Sequence, residues 1–397
     1  MPMGSRRLTI AVATSTRADW GLLRPIARAL SLEPGVDVRI IATNMHLDAR
    51  YGHTVDEIVS DGFDVAAEVP MHAASASGAD TVRATAECMA GMADAFSRIN
   101  PDMLLLLGDR YEMLAVATAA TVMRIPIVHV AGGEISEGAF DDSIRHAITK
   151  LSSLHLTATE PYRRRVIQLG ENPAMVVNTG AIGVYNLVAE PPMPREELER
   201  SIGTRLDGRT LLVTLHPATL DDVPVAERCS ALLEALDAFH DSNLIFTYPN
   251  NDPDGEVIIS MIEEYVVRNS HRAVAVPSLG WKRYLSALHY VGAVVGNSSS
   301  GIVEVPSMHI PTVDIGIRQQ GRLASDSVIH CDADAGSIRN AIRFALSAEG
   351  RELARRCTNP YGRPDTLRVM VDAILNTPLE AMRSKRFYDL PVPGSDA

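Results

Sequence analysis

The chain has 397 residues, and its 37 Lys and Arg against 49 Asp and Glu give a formal net charge of −12 at pH 7. Nucleic acids and anionic membranes attract basic surfaces, so this balance argues against a general binder of either and requires a local basic site for any anionic ligand. With 46% hydrophobic and 22% charged residues, the composition is typical of a folded globular protein. The length favours two domains over one.

The cysteines and the apolar stretches exclude several further classes of protein. The four cysteines are widely scattered without a Cys-x-x-Cys pair, so neither a zinc site nor a disulfide framework is expected. Apolar stretches such as 114–123 are far shorter than the ~20 residues that cross a bilayer. The apolar run that begins at Leu8 is too short for a signal peptide and predicts a first strand. We therefore expect a cytoplasmic protein with no nucleic-acid partner, no membrane partner and no metal.

Short apolar runs alternate with longer helical patterns along most of the chain, which is typical of βαβ units and a mostly parallel sheet. The predicted strands form two series, Leu8–Ala13, Val38–Thr43, Met103–Leu107, Ile127–Val130 and Leu154–Thr157, then Leu211–Leu215, Leu244–Thr247, Ala273–Val276, Ala293–Val295 and Thr312–Ile315. A proline-rich and then charged stretch at about 180–208 predicts a domain linker. We expect an α/β protein of two Rossmann-like, doubly wound domains (1–180 and 181–390) facing a central cleft, with a disordered tail over 391–397.

Two acidic residues follow predicted strands of the first series. Asp109 comes directly after Met103–Leu107 and Gly108, and Glu134 follows the next strand and a Gly-Gly pair that lets the backbone turn tightly. If these strands are neighbours, the two carboxylates lie side by side at the edge of the sheet. A helix cap at Asp109 and a simple turn at the glycines explain each feature alone, whereas their combination favours a site.

The segment 140–150 predicts a helix that adds polar groups near Glu134. Asp142 lies four residues before His146, so the two side chains share one helical face. A surface ion pair explains this spacing equally well. Its closeness in sequence to Glu134 brings the pair into the candidate site.

The second half contains a strand, a turn of small residues and the start of a helix over 294–304. Such a turn offers backbone N–H groups, hydroxyls and a helix dipole to an anion, which predicts a diphosphate site at Ser298–Gly301. It is neither a Walker motif nor Gly-x-Gly-x-x-Gly, and a serine-rich helix cap without a ligand is the alternative. His216 and Arg318, which follow other strands, can bind phosphate or can be a capped turn residue and a solvated charge.

Seven short motifs follow one another along the chain, four in the first half and three in the second. They are Thr14-Ser-Thr-Arg-Ala-Asp19, Gly108-Asp-Arg110, Gly132-Gly-Glu134, Asp141-Asp-Ser-Ile-Arg-His-Ala-Ile-Thr-Lys150, His216-Pro217, Gly296-Asn-Ser-Ser-Ser-Gly301 and Gly316-Ile-Arg-Gln-Gln-Gly-Arg322. Together they resemble the hydrolysing UDP-N-acetylglucosamine 2-epimerases. The resemblance implies the glycosyltransferase-B architecture, in which the first domain faces the sugar and catalyses and the second holds UDP. It also implies that the last helix crosses back to the first domain.

The resemblance further implies a reaction, in which UDP-N-acetylglucosamine and water give N-acetylmannosamine and UDP, the entry step to sialic acid. Relatives in the family act on UDP- or GDP-linked N,N'-diacetylbacillosamine, the diacetamido-trideoxyhexose that leads to legionaminic acid, and the motifs do not separate these substrates. Non-hydrolysing members carry a Gln-rich segment where this chain has Thr43-Asn-Met-His-Leu47. That departure favours the hydrolysing branch.

Elimination of UDP with loss of the carbon 2 proton, followed by addition of water to the glycal, needs at least two acid–base groups and a basic clamp on the phosphates. To catalysis we assign Asp109, Glu134, Asp141, Asp142 and His146, with the order of their roles left open. To substrate and UDP binding we assign Arg17, His216, Asn250, Ser298, Ser299, Ser300, Gly301, Glu304, Arg318 and Arg322. Arg17 is expected to touch phosphate or to help close the cleft. No cofactor is expected.

Two other classes of function share this architecture. A glycosyltransferase would move the sugar to an acceptor and would need one catalytic base at most. A nucleotide-sugar-binding regulator would leave the gathered carboxylates without a purpose, since burying them costs free energy. We also expect the chain to form a homo-oligomer, either a dimer or a tetramer.

Overall fold

The computed structural model describes residues 7–49, 52–72, 77–189, 191–218, 220, 223–249 and 254–391. Asn250 and residues 392–397 of the predicted tail lie outside the described residues. No helix in the described part of the chain is long and apolar enough to span a membrane.

The first sheet has seven parallel strands in the order β3-β2-β1-β4-β5-β6-β7. Its strands are β1 (Leu8–Thr14), β2 (Val36–Thr43), β3 (Val65–Val69), β4 (Met103–Leu107), β5 (Ile127–Val130), β6 (Leu154–Thr157) and β7 (Val176–Asn178). The central strands are mostly apolar because helices cover both faces of the sheet, and Met103, Leu104, Leu105 and Leu106 of β4 are at most 1% exposed.

The second sheet repeats this topology with six parallel strands in the order β10-β9-β8-β11-β12-β13. Its strands are β8 (Leu211–Thr214), β9 (Leu244–Thr247), β10 (Ala273–Val276), β11 (Ala293–Gly296), β12 (Thr312–Ile315) and β13 (Val328–Cys331). In both sheets the chain starts in the middle, winds to one edge, and then returns to wind to the other. This confirms the predicted pair of Rossmann-like, doubly wound sheets.

The helices connect successive strands and cover both faces. Those associated with the first sheet are α1 (Arg17–Ser31), α2 (Val55–Ser60), α3 (Gly78–Ile99), α4 (Tyr111–Val122), α5 (Asp141–Leu151) and α6 (Glu160–Gln168). The remaining helices are α7 (Ile182–Ala189), α8 (Arg195–Ile202), α9 (Val225–Leu236), α10 (Gly255–Arg268), α11 (Gly280–Leu288), α12 (Ser300–Val303), α13 (Ala335–Ala345), α14 (Ala348–Arg356), α15 (Thr366–Asn376) and α16 (Leu379–Arg383). Among the described residues, short 3-10 helices span Asn44–Leu47, Pro173–Met175 and Val305–Met308.

The chain returns to the first sheet after completing the second. On α15, Met370 and Ile374 are buried in the same core cluster as Leu23 and Ile26 of α1. The two helices pack directly against each other, and α7 joins them. The chain leaves the first core through α7 and returns to it through α15, so two chain segments connect the sheets.

All ten predicted strands are present, and six have the predicted bounds. The structure adds three strands, β3, β7 and β13, each of which lies at the edge of its sheet. Edge strands pair on one side only and retain polar or exposed positions, so their apolar pattern is weaker than that of the central strands.

Candidate active site

In both sheets the turns that carry predicted site residues lie at or next to the position where the strand order reverses. The reversal lies between β1 and β4 in the first sheet and between β8 and β11 in the second. In open parallel sheets, crevices for ligands form at the carboxyl ends of the strands at this position. The turns that follow β4, β5, β11 and β12 carry most of the predicted site residues.

Asp109 lies immediately beyond β4, in a turn that Gly108 forms with φ of +88°. The buried His129 on the neighbouring strand β5 donates through Nε2 to the Gly108 carbonyl at 2.8 Å. Burial lowers the pKa of His129 to about 3, so the ring is neutral and acts as a fixed hydrogen-bond donor. This contact holds the turn that presents Asp109.

Arg145, on α5, organises the carboxylates of the first sheet. Its guanidinium is paired with Asp109, lies 3.3 Å from Asp142, and donates to the Glu134 carbonyl at 3.0 Å. It also donates to the Ser136 hydroxyl at 3.0 Å. The side chain is only 1% exposed, and a cation so deeply buried is tolerated because carboxylates and hydrogen-bond acceptors surround it.

This surrounding charge sets the protonation state of Asp109. Burial raises the pKa of the Asp109 carboxyl, but the guanidiniums of Arg145, Arg322 and Arg318 together lower it by a larger amount, so the net shift is downward. Asp109 is therefore ionised at neutral pH and able to accept a proton or a hydrogen bond.

Glu134 and Arg322 form an ion pair between the two halves of the molecule. Glu134 follows β5 of the first sheet, and Arg322 lies in the loop after β12 of the second. Arg322 Nη1 lies 2.6 Å from Glu134 Oε2, and the two side chains are 7% and 8% exposed. Burial is the largest single effect on the pKa of Arg322 and lowers it, but Glu134, Tyr361, Asp109 and Tyr162 together raise it by more, so the net shift is upward. Arg322 also donates to Ser136 at 3.3 Å, which connects it to the Arg145 network.

Asp142 and His146 belong to this network but do not line the cavity described below. Asp142 accepts a hydrogen bond from the Ser136 backbone N–H at 2.7 Å and lies 3.5 Å from His146 Nε2. Burial lowers the pKa of His146 by more than Asp142 raises it, which leaves the ring neutral at pH 7. Asp141 is half-buried at the first position of α5 and does not line the cavity either.

In the second sheet, Asn297 links three of the turns. Its side chain accepts from the His216 backbone N–H at 2.7 Å and donates to the His216 carbonyl at 2.9 Å. Its own carbonyl accepts from Arg318 at 3.0 Å and from Gln319 at 2.8 Å. The ends of β8, β11 and β12 are thereby joined, and His216 and Arg318 lie beside the serine turn.

The serine turn leads directly into α12. Ser298 and Ser300 are half-buried, and Ser299 is exposed. Tyr284 donates to the Ser300 hydroxyl at 2.6 Å. A side chain on Gly301 would contact Thr312 Cγ2 at 2.7 Å, so this turn packs tightly on β12. The backbone N–H groups and hydroxyls of the turn remain suited to an anion.

Glu304, at the end of α12, faces the first half of the molecule across Gly183 of α7. A Cβ atom at Gly183 would overlap the Glu304 carboxylate, so a glycine is needed for this close approach. Burial raises the pKa of Glu304 to about 7. Its carboxyl therefore titrates near neutral pH, which is common for groups in functional clefts.

Arg17 does not reach these groups. It begins α1 and lies with Nη1 3.6 Å from Glu57 of α2. Burial and the charge of Arg283 in the second half lower the pKa of Arg17. The Glu57 carboxylate raises it by less, so the net shift is downward.

A cavity of about 140 Å³ brings the two sets of groups together. Its polar lining comprises Asp109, Glu134, Arg145, Ser299, Glu304 and Arg322. The rest of the lining is apolar or glycine, including Leu22, Leu107, Val130, Ile182 and Met370. The charged groups therefore face a mostly apolar chamber between the sheets.

A larger cavity of about 430 Å³ lies elsewhere, between α1, α7 and α11. None of the predicted site residues lines it, and its two arginines, Arg24 and Arg28, already contact Asp61. The smaller cavity is therefore the candidate site. Among the described residues, no group of three or more His, Cys, Asp or Glu side chains is arranged to hold a metal ion.

Several important residues of this site were missed from the sequence. Arg145, His129 and Ser136 organise the carboxylates, and Asn297 joins the turns of the second sheet. Arg145 lies three residues after Asp142, a spacing that places the two on one helical face and could have identified it. The other contacts depend on the pairing of strands, which no local pattern reveals.

Residues 28–375 match the family described as UDP-N-acetylglucosamine 2-epimerase. The chain is 35% identical to the GDP/UDP-N,N'-diacetylbacillosamine 2-epimerase (hydrolyzing) of Campylobacter jejuni, over 96% of this chain and 99% of that protein. It is 33% identical to polysialic acid biosynthesis protein P7 of Escherichia coli, over 96% and 97% of the respective chains.

The fold is also that of known structures. The crystal structure of UDP-GlcNAc 2-epimerase from Neisseria meningitidis bound to UDP-GlcNAc superposes with a TM-score of 0.77 at 14% identity, covering 93% of this chain and all of that one. Two Rossmann-like sheets that face a cleft are the glycosyltransferase-B arrangement implied by the sequence motifs. The extent of these matches establishes that the chain belongs to the UDP-N-acetylglucosamine 2-epimerase family.

Proposed function

We propose that this chain is a hydrolysing 2-epimerase, which converts a UDP- or GDP-linked 2-acetamido sugar and water to the free 2-epimeric sugar and the nucleoside diphosphate. The observation that carries the proposal is the pair of carboxylates, Asp109 and Glu134, that line one chamber between the sheets, each beside a buried arginine. The C. jejuni relative described above supports the hydrolytic outcome, since its name specifies it.

The proposed chemistry needs a base and an acid on the sugar. One carboxylate removes the proton at carbon 2 while UDP leaves carbon 1, and the glycal then takes up water at carbon 1 and a proton on the other face of carbon 2. Asp109 and Glu134 divide these proton transfers because both line the chamber. Asp142 positions them through Arg145 and Ser136, and the neutral His146 supports Asp142.

The second sheet supplies the proposed nucleotide site. Ser298, Ser299, Ser300 and Gly301 present hydroxyls and N–H groups to the diphosphate. His216 and Arg318 lie beside this turn and add hydrogen-bond donors and positive charge. Glu304 and Arg322 contact the substrate from the wall of the chamber. As UDP departs, these donors stabilise the negative charge that develops on it.

We assign residues 1–180 to the catalytic domain and 181–390 to the UDP-binding domain, from which α15 crosses back to pack on the first domain, and we propose no cofactor. The chamber of about 140 Å³ is smaller than the roughly 300–1,000 Å³ of typical ligand sites, and we propose that the domains move apart to admit the substrate. Arg17 takes part in the subsequent closure. We further propose that the enzyme is cytoplasmic and works as a homodimer or homotetramer.

Among the candidate sugars, we propose UDP- or GDP-linked N,N'-diacetylbacillosamine as the preferred substrate ahead of UDP-N-acetylglucosamine. Leu107, Val130 and Ile182 give the chamber an apolar wall. Such a wall favours the methyl group at carbon 6 and the acetamido methyl at carbon 4 over two hydroxyl groups. The C. jejuni relative is named for the same sugar. The E. coli relative, named for polysialic acid biosynthesis, supports N-acetylglucosamine as the second candidate.

The test is to incubate the purified protein with each nucleotide sugar alone and to measure free UDP or GDP and the free 2-epimeric sugar. Release of both products from the diacetylated substrate, with a higher kcat/KM than from UDP-N-acetylglucosamine, is expected. A glycosyltransferase would release little without an acceptor, and a binding regulator would release none. The activity should survive a strong chelator, and a loss that magnesium restores would contradict the metal-free site.

A further inference from the structure

The Glu134–Arg322 pair joins groups from different sheets, so something must fix the distance between them. Glu134 follows Gly133, whose φ of +81° and close packing define that turn. Arg322 lies in the loop between β12 and β13, and the residue after it is Leu323. Neither turn belongs to a regular element that would hold it rigidly.

Two buried tyrosines bind the backbone of Leu323. The Leu323 N–H donates to the Tyr162 hydroxyl at 3.0 Å. The Tyr361 hydroxyl donates to the Leu323 carbonyl at 2.8 Å, and the two tyrosine oxygens lie 2.7 Å apart. Tyr162 and Tyr361 are 1% and 0% exposed.

The direction of each hydrogen bond in this group is determined. Tyr361 uses its one hydroxyl hydrogen on the Leu323 carbonyl, so the hydrogen between the tyrosines must come from Tyr162. The bonds therefore run from Leu323 N–H to Tyr162, from Tyr162 to Tyr361, and from Tyr361 back to Leu323. We call this closed set of three hydrogen bonds the tyrosine ring, and its members polarise one another in the same sense.

Tyr162 also holds the other side of the ion pair. Its backbone carbonyl lies against Gly133, where a Cβ atom would approach it to 2.5 Å. Arg165, one turn later on α6, donates to the Gly133 carbonyl. One tyrosine therefore contacts the turn that precedes Glu134 through its backbone and the loop next to Arg322 through its hydroxyl.

Tyr361 adds a connection to the crossing between the domains. Its carbonyl accepts from the Ala181 N–H at 3.0 Å, just before α7. Its N–H donates to Asn359 Oδ1 at 3.0 Å, and Asn359 in turn donates to the Val303 carbonyl at 2.7 Å. The tyrosine ring thus joins the first domain, the loop that carries Arg322, and the segment that returns to the first domain.

From this geometry we propose that Tyr162 and Tyr361 are positioning residues, which set Arg322 against Glu134 by closing the tyrosine ring on Leu323. The proposal rests on the proposed function, in which Glu134 transfers a proton. The ring has members on both sides of the cleft, and all three of its hydrogen bonds are formed without a bound substrate. Loss of either hydroxyl opens the whole ring.

The test compares Tyr162→Phe, Tyr361→Phe and the double variant with a matched control, Tyr265→Phe. Tyr265 is also buried and donates to Asp237 at 2.8 Å, but it lies in the core of the second sheet away from the loop. We expect each ring variant to lower kcat roughly ten-fold with KM nearly unchanged, and the control to keep wild-type kcat. The double variant should match a single variant, because one missing hydroxyl already opens the ring.

The same variants placed in an Arg322→Lys background test whether the tyrosines act through Arg322. Little further loss of kcat is expected there, whereas a general packing role would lower kcat by the full factor again. Hydrogen exchange at the Leu323 amide supplies a measurement without substrate, and its protection should fall in Tyr162→Phe but not in Tyr265→Phe.

The outcomes separate the two proposals. Wild-type protein that is inactive on every nucleotide sugar overturns the proposed function. An active wild type whose ring variants match Tyr265→Phe in kcat, or an unprotected Leu323 amide in the wild type, overturns the positioning role alone.

Discussion

The two sheets share one strand order but present different chemistry at their carboxyl edges. The first sheet offers Asp109, Glu134 and Arg145, a cluster of alternating charges in a buried setting. The second offers Asn297 and the serine turn, which are neutral hydrogen-bonding groups at the start of a helix. The topology determines where a ligand lies, and the residues in the turns determine what happens to it. In the proposed division of labour, the first sheet transfers protons and the second holds the nucleotide.

The largest effect is expected when the first sheet loses a proton-transferring group. Glu134→Gln keeps the size of the side chain but cannot exchange a proton at neutral pH, so turnover should fall by ~10²–10⁴ while UDP affinity stays near wild type. Glu160→Gln, a carboxylate on α6 whose side chain is 43% exposed and which does not line the chamber, is the matched control. Near-normal turnover of Glu134→Gln would remove Glu134 from the mechanism.

Arg145→Met should reveal that the first cluster is held together by one buried cation. The change leaves Asp109 and Asp142 without their shared partner, which should lower the free energy of unfolding by roughly 3–5 kcal/mol. Chemical denaturation of the variant and of the exposed Arg343→Ala measures the difference. An Arg145→Met protein as stable as wild type would show that the carboxylates do not depend on this guanidinium.

Arg318→Ala tests the proposal that the second sheet holds the nucleotide. Removing one charge-assisted hydrogen bond should weaken UDP binding by ~1.5–3 kcal/mol, measured by calorimetry with UDP alone. Arg343→Ala on the outer surface of α13 should bind UDP as wild type does. Unchanged UDP affinity in Arg318→Ala would contradict the assignment of Arg318 to diphosphate binding.

The smallest effect concerns Glu304, which lies between the two regions. Its pKa is raised to about 7 by burial, against ~4.3 in an unfolded chain. The folded state therefore retains a proton that the unfolded state releases, so the contribution of Glu304 to stability is full below pH ~4.3 and is lost as the pH rises through about 7. Between pH 5 and pH 8, the Tm of wild type should fall relative to that of Glu304→Gln. Parallel curves for the two proteins would contradict this.

The sequence was most informative where a segment is buried on both faces. β4, β5 and β6 have the predicted bounds, because central parallel strands are continuous apolar runs. β3, β7 and β13 were missed, and each lies at an edge where one side lacks a neighbouring strand, whereas the remaining edge strand, β10, was predicted because its Ala-Val-Ala-Val sequence is apolar throughout. Local apolar pattern therefore predicts the centre of such a fold better than its margins.

The sequence predicted which turns carry the candidate site residues, but it did not predict which side chains contact one another. Asp109 and Glu134 were expected side by side, and the pairing of β4 with β5 does make their strands neighbours. The sequence did not indicate that Arg322 would reach across to Glu134, because that contact depends on how the two domains face each other. Arg17 was expected to touch phosphate or to help close the cleft, and the sequence did not indicate its contact with Glu57 on α2. Contacts between distant segments require the tertiary structure.

The most direct test of the central claim, that the carboxylates of the first sheet move a proton at carbon 2, is isotope labelling of a single product sample. In heavy water, the free 2-epimeric sugar should carry deuterium at carbon 2. Oxygen-labelled water should place its label on carbon 1 of the sugar and none on UDP. A free sugar that keeps its original hydrogen at carbon 2 would contradict the account and remove the proposed roles of Asp109 and Glu134 together.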